Sequence, residues 1–171
     1  MVLHRIQQGL RALTAYTRPV DLDTARAYLS PPLMALFLRM RRSEQQHSIN
    51  VVNALRSAGY SHPDLMRAAL LHDVGKCRAA YHLWDRALVV LAGRLMPRKA
   101  AAWGKGAPTG WRRPFVIAAQ HPAWGADMVR EAGGAALTAA LIARHQDRLD
   151  GPPADETERL LAALIAADGA N

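Results

Sequence analysis

Hydrophobic residues recur along most of the chain at intervals of three and four positions, the spacing that places them on one face of an α-helix. Two of the clearest stripes are Leu33, Leu36, Phe37 and Met40, and then Ile49, Val52 and Leu55. β-branched runs, which would favour strands, are short. Alanine and leucine dominate the hydrophobic residues, and both are strong helix formers. The pattern therefore predicts an all-α protein.

Proline, glycine and aspartate residues divide this pattern into separate helices. The predicted helices cover about residues 2–16, 21–29, 30–40, 43–58, 61–75, 83–102, 115–120, 121–131, 135–146 and 156–167. The stretch from Gly104 to Pro114 is basic and rich in glycine and proline, so we expect a loop or a lid there. The sequence shows no internal repeat, and its 171 residues suit one domain with a substantial core.

The charge distribution leaves two interpretations open. The formal net charge is +8, and the segment from Arg86 to Ala126 carries seven basic residues and no acidic one. Such a surface attracts phosphates, nucleic acid or anionic lipid. It is equally compatible with an arginine-rich surface that is only solvated.

Cysteine usage and hydropathy bear on the compartment. Cys77 is the one cysteine, so no internal disulfide is possible, as is usual in a reducing cytoplasm. The N-terminal stretch MVLHRIQQGL lacks the apolar core of a signal peptide. Arginine interrupts the longest apolar stretches well before the ~20 residues that span a bilayer. We therefore expect a cytoplasmic protein without a transmembrane segment.

The pair His72-Asp73 is the first candidate for chemistry. It ends a very apolar helix in the stretch AALLHDVGK, where burial of an imidazole and a carboxylate is costly unless a bound cation compensates. An ordinary helix C-terminus would explain two of these residues: Gly75, which we expect to turn the chain, and Lys76, whose positive charge is favourable at that end of a helix. It would not explain an adjacent His and Asp, so a metal site is the stronger interpretation.

Five segments, in order, resemble the HD superfamily of metal-dependent phosphohydrolases. They are QQHSINVV with His47, HDVGK with His72 and Asp73, HPAWGADMVREAG with His121, LIARHQDRLDG with His145, and LLAALIAADGAN with Asp168. The resemblance implies a single-domain helical bundle with the metal site between core helices. The HD domain is then expected over residues 43–171, with residues 1–42 as a helical extension packed on it.

The resemblance also implies the ligands of the metal site and its chemistry. His47, His72, Asp73 and Asp168 would form one site, and His121 and His145, with Asp73 bridging, a second. Mixed imidazole and carboxylate ligands suit one or two divalent transition metals, foremost Fe or Mn, with Zn, Ni or Co as alternatives. A metal-activated water would cleave a phosphomonoester or phosphodiester, and we expect the substrate to be a nucleotide.

Catalytic and substrate-binding residues are assigned in the same way. Asp73 and Lys76 are the expected catalytic residues, and Lys76 would also orient the phosphate. Arg112 and Arg113, next to Trp111, are the best local candidates for a further phosphate clamp. Trp111 could stack a nucleobase or fill space in the fold.

One departure from the family pattern limits the substrate assignment. The cyclic-di-nucleotide phosphodiesterases of the HD-GYP branch carry a HHE motif and then GYP, whereas this chain reads RHQDRLDGPP with Arg144 in place of the first His. Cyclic-di-GMP specificity is therefore in doubt. A metal- or nucleotide-binding regulatory module without turnover stays open, and so does a basic nucleic-acid or membrane-surface protein. The sequence fixes neither the natural substrate nor the oligomeric state.

Overall fold

The computed structural model describes residues 19–80 and 83–171, and the helix predicted over residues 2–16 lies outside these ranges. Within them the chain forms nine α-helices and two short 3₁₀-helices, without any strand, which confirms the predicted all-α class. The α-helices are α1 (Leu22–Tyr28), α2 (Pro31–Arg39), α3 (Arg42–Ser57), α4 (Pro63–Leu71), α5 (Leu83–Leu95), α6 (Pro97–Trp103), α7 (Arg113–Glu131), α8 (Ala136–Arg144) and α9 (Glu156–Ala170). The 3₁₀-helices are Val74–Arg78 and Gly110–Arg112.

Helix α4 is the centre of the bundle. It packs against α3, α8 and α9, and its apolar side chains Leu65, Met66, Leu70 and Leu71 are completely buried. Burial of each side chain of this size stabilises the fold by about 1.5–3 kcal/mol relative to exposure. The last four residues of α4, 68–71, are all buried, which explains why the chemistry that follows this helix is also buried.

Helices α1 and α2 share the same hydrophobic core as the rest of the chain. Ala25 of α1 and Phe37 of α2 are fully buried in it. Asp21 caps α1 by accepting a hydrogen bond from the backbone N–H of Thr24 at 3.0 Å. The N-terminal elements therefore pack directly on the helices that follow.

The expected role of Gly75 as a turn residue is wrong. The chain continues from α4 into the 3₁₀-helix Val74–Arg78, and Gly75 is not among the glycines with positive φ. A Cβ at Gly75 would instead overlap the backbone oxygen of His121 and lie 2.7 Å from the backbone N of Gly125. Glycine is needed here because the 3₁₀-helix crosses α7 at backbone contact.

The helix predicted over 61–75 ends at Leu71, and the last helix continues to Ala170 instead of 167. Two predicted divisions between helices are also wrong, and both involve proline. The helix expected over 83–102 is broken between α5 and α6, where Pro97 occupies the first turn of α6. The two helices expected over 115–120 and 121–131 are instead one continuous helix, α7, with Pro122 inside it. No helix in the described part of the chain is long and apolar enough to span a membrane.

Candidate metal centre

Five helices direct polar side chains to one point inside the bundle. His47 lies on α3, the pair His72-Asp73 follows α4, His121 lies on α7, His145 follows α8, and Asp168 lies in the last turn of α9. These residues form two groups, and within each group the ligand atoms lie within 4.8 Å of one another. Site A consists of His47, His72 and Asp168, and site B consists of Asp73, His121 and His145.

Site A is the more accessible of the two. The Nε2 of His47 lies 2.8 Å from Oδ1 of Asp168, within hydrogen-bond distance, and the Nε2 of His72 lies 3.5 Å from the same oxygen. His72 is buried, whereas the His47 and Asp168 side chains are 24% and 29% exposed. Two imidazoles and a carboxylate therefore converge on a point that solvent can reach.

Site B is buried throughout. The Nε2 of His121 lies 3.3 Å from Oδ1 of Asp73 and 3.3 Å from the Nε2 of His145. The other oxygen of Asp73, Oδ2, lies 3.7 Å from the Nε2 of His72, which belongs to site A. Asp73 thus stands between the two sites with one oxygen towards each, the placement of a bridging carboxylate.

Backbone carbonyls fix the orientation of three imidazoles. The Nδ1 atoms of His72, His121 and His145 lie 2.9 Å from the oxygen of Ala69, 3.0 Å from that of Ala118 and 2.7 Å from that of Ile142. A carbonyl oxygen only accepts, so each Nδ1 carries the proton. Each ring then turns its Nε2 towards the interior, where this atom offers a lone pair whenever the ring is neutral, the arrangement found in metal-ligating histidines.

The inward-facing nitrogen atoms fit a cation. The Nε2 of His72 is buried without a hydrogen-bond partner, which costs about 1–3 kcal/mol for a buried polar atom. The lone pairs of His121 and His145 face each other at 3.3 Å, where only a proton or a cation between them gives attraction. The residues therefore fit divalent transition metals, which accept imidazole nitrogen and carboxylate oxygen together.

The charges of the site act on one another. Burial raises the pKa of Asp73, but His72, Lys76 and His121 outweigh burial and hold that pKa well below its ordinary value. Burial also raises the pKa of Asp168, but the contacts of this carboxylate with His47 and His72 outweigh burial and lower the pKa overall. Both carboxylates are therefore ionised, as metal ligands must be.

The pKa values of the two buried imidazoles His72 and His145 are shifted in opposite directions. Burial lowers the pKa of His72, but the neighbouring charges of Asp73 and Asp168 outweigh it and raise the pKa overall. Burial, aided by a charge on His72, lowers the pKa of His145 to about 4. His145 therefore stays neutral at physiological pH.

A cavity of about 390 Å³ opens beside the cluster, lined by Arg39, Arg41, Glu44, Lys76, Cys77, Ala79 and Ala80. The Nζ of Lys76 donates to Oδ2 of Asp73 at 2.6 Å, so this side chain connects the cavity to the cluster. Burial raises the pKa of the Cys77 thiol to about 11, which leaves it protonated and unsuited as a ligand.

Two neighbours of the cluster were missed in the sequence. Glu44, one turn before His47 on α3, lines the cavity, and burial raises the pKa of its carboxyl group. Gln146 follows His145, and its Nε2 lies 3.5 Å from the Nε2 of His121. The spacing of Glu44 from His47 on one helix was the available signal, whereas nothing in the sequence singled out Gln146.

The arginines proposed as a clamp have other partners in the structure. Arg113 forms an ion pair with Asp85 at 3.5 Å, and the guanidinium of Arg112 lies over the ring of Trp111 at 5.2 Å. Trp111 in turn packs edge-on against Trp103, with ring centroids 5.2 Å apart. These contacts direct neither arginine into the metal cluster, and their role as a clamp stays a prediction.

A comparison with protein families places this geometry in a known group. Searches of curated proteins and of solved structures gave no match. The family model of the HD domain matches residues 45–168, a span that begins just before His47 and ends at Asp168. The match covers well over half of the chain, and it includes every residue of sites A and B. The protein therefore belongs to the HD domain family, a superfamily of generally metal-dependent phosphohydrolases.

Proposed function

We propose that the protein hydrolyses a phosphomonoester or phosphodiester of a nucleotide, with two divalent metals held in sites A and B. The observation that supports this most directly is the position of Asp73, which directs one oxygen to His121 and the other towards His72. Two sites joined by one carboxylate suit the paired metals of many phosphate-cleaving enzymes. Fe and Mn fit the mixed ligands first, with Zn, Ni and Co as alternatives.

The metals supply a Lewis acid and a bound water of lowered pKa. The chain supplies the rest. Asp73 and Asp168 provide the negative charge that retains the cations, and the carbonyl contacts of the three buried imidazoles keep Nε2 free for them. Lys76 then has two partners, Asp73 and an incoming phosphate, and its ammonium group can orient the phosphoryl oxygens.

The cavity offers a place for the remainder of the substrate. Arg39 and Arg41 line it together with Lys76, so it carries three cationic side chains against the one carboxyl group of Glu44. Positive charge of this density suits a second phosphate or another anionic group. We give Arg112 and Arg113 a secondary role in binding phosphate. To reach a phosphate, Arg112 would have to break its contact with Trp111 and Arg113 its ion pair with Asp85.

Metal content and hydrolysis, measured on the same preparations, test the proposal. We expect about two transition-metal ions per chain and hydrolysis of a generic phosphodiester such as bis-p-nitrophenyl phosphate. Asp73→Asn should lower the rate at least about a hundredfold, and His121→Ala should reduce the metal content to about one. Asp127→Asn, which removes an exposed carboxylate on α7, is the matched control and should change neither quantity.

The pairing of Lys76 with Asp73 favours one alternative. An ammonium group 2.6 Å from Oδ2 competes with a cation for that oxygen. The protein could then bind metal or nucleotide as a regulatory module without turnover. Metal binding together with no hydrolysis across phosphomonoesters, phosphodiesters and nucleotides would support this module and refute the enzyme.

A further inference from the structure

Helix α5 exposes a stripe of large apolar side chains. Trp84, Leu88, Leu91 and Leu95 recur at intervals of four, three and four residues, which places them on one face of the helix. Their exposed fractions are 82%, 48%, 57% and 69%. We call these four residues the α5 stripe. A contiguous exposed apolar face of this kind marks an interaction surface rather than ordinary surface variation.

The helix is held to the protein by a different face. Ala92 is only 3% exposed, and the Asp85 side chain is 15% exposed and paired with Arg113 of α7. Neither residue belongs to the α5 stripe. The stripe is therefore displayed by an anchored helix.

Basic side chains border the stripe. Arg94 flanks the stripe on α5, and Arg98 and Lys99 lie on α6, which packs against α5; all three are exposed. The sequence from Arg86 to Ala126 contains no acidic residue. The surface thus combines leucine and tryptophan with nearby positive charge, the composition of helices that lie in the interface of an anionic membrane.

We propose that the α5 stripe and its basic border dock the protein onto an anionic lipid surface. Helix α5 has 13 residues, so it would lie in the plane of the interface with its leucines among the acyl chains. Arginine and lysine would meet the lipid phosphates. The proposal rests on this surface alone and is independent of the hydrolytic activity.

Charge complementarity favours lipid over other occupants. A second copy would bring two faces of the same positive sign together, and residues 1–18 carry three arginines and no acidic residue. Nucleic acid would satisfy the charge, but aliphatic side chains such as Leu88, Leu91 and Leu95 give its phosphates and sugars no hydrogen-bond donors. An anionic bilayer satisfies both halves of the surface.

Vesicle co-sedimentation tests the proposal with the full chain. We expect binding to phosphatidylcholine vesicles that contain about a quarter phosphatidylglycerol, little binding to pure phosphatidylcholine, and a strong decrease as salt rises. The double variant Leu88→Asp, Leu91→Asp should weaken binding about tenfold or more, because it removes apolar insertion and adds negative charge. Leu38→Asp is the matched control, since Leu38 is 52% exposed but lies on α2, and it should bind like the unmodified protein.

A second readout locates the contact. Brominated acyl chains should quench part of the tryptophan fluorescence, and Trp84→Leu should abolish that quenching while vesicle binding persists. Equal losses in the double variant and in Leu38→Asp would overturn the proposal, as would binding indifferent to lipid charge. Self-association of the unmodified chain that disappears in the double variant would also overturn it, because the occupant would then be a second copy.

Discussion

At the scale of single residues, Pro122 explains how His121 is oriented. Proline has no backbone N–H, so the carbonyl of Ala118, four residues earlier in α7, lacks its usual helical donor. The Nδ1 of His121 lies 3.0 Å from that oxygen and donates to it. The proline that would normally break a helix thus frees an acceptor, and the imidazole that uses the acceptor turns its Nε2 towards site B.

Pro122→Ala tests this relation. The new N–H would bond to Ala118 and compete with His121, so we expect a higher melting temperature together with metal affinity at site B about tenfold weaker. Calorimetry and metal titration measure the two quantities. Pro114→Ala is the control, because Pro114 lies in the first turn of α7, where no helical donor is missing. Unchanged metal affinity in Pro122→Ala would refute the relation.

At the scale of elements, the sequence predicted most helices because their apolar stripes and caps are local. Helix α1 follows its Asp21 cap, and α3 ends two residues before Gly59, which has a φ of 86°. The two proline errors differ in the surroundings of the proline. Pro97 lies in the first turn of α6, whereas the carbonyl that Pro122 leaves free within α7 accepts a hydrogen bond from the side chain of His121.

The contact between the 3₁₀-helix Val74–Arg78 and α7 could not be predicted from the sequence either. The variant Gly75→Ala tests this contact. The added methyl group would overlap the backbone of His121, so we expect destabilisation of about 1–3 kcal/mol or more and weaker metal binding at site B. Gly93→Ala is the control, because a Cβ at Gly93 of α5 meets nothing within 4 Å. That variant should be neutral or slightly stabilising. Thermal unfolding measures both, and equal stability of the two variants would contradict the contact.

At the scale of the whole molecule, the cluster joins distant parts of the chain. His47 and Asp168 are 121 residues apart, yet their side chains are in contact. Helical periodicity places each residue on its own helix but says nothing about how the helices meet. The shared site could therefore be predicted from the resemblance to the HD superfamily but not from helical periodicity. The cavity and the contact of Gln146 with His121 depend on the packing of this chain and could not be predicted.

Because its residues come from five helices, the cluster should link metal binding to global stability. Without metal, the buried Nε2 of His72 has no hydrogen-bond partner and the Nε2 atoms of His121 and His145 face each other. A cation that binds only the folded chain stabilises it by about 2.7 kcal/mol at a hundredfold excess over Kd. For a chain of this size, that corresponds to a melting temperature roughly 5–10 °C higher. We expect chelation to remove this increment and Mn²⁺ or Fe²⁺ to restore it. In Asp73→Asn, which weakens both sites, the restored increment should be much smaller. A melting temperature independent of metal in the unmodified protein would show that the cluster is a hydrogen-bonded polar core and not a metal centre.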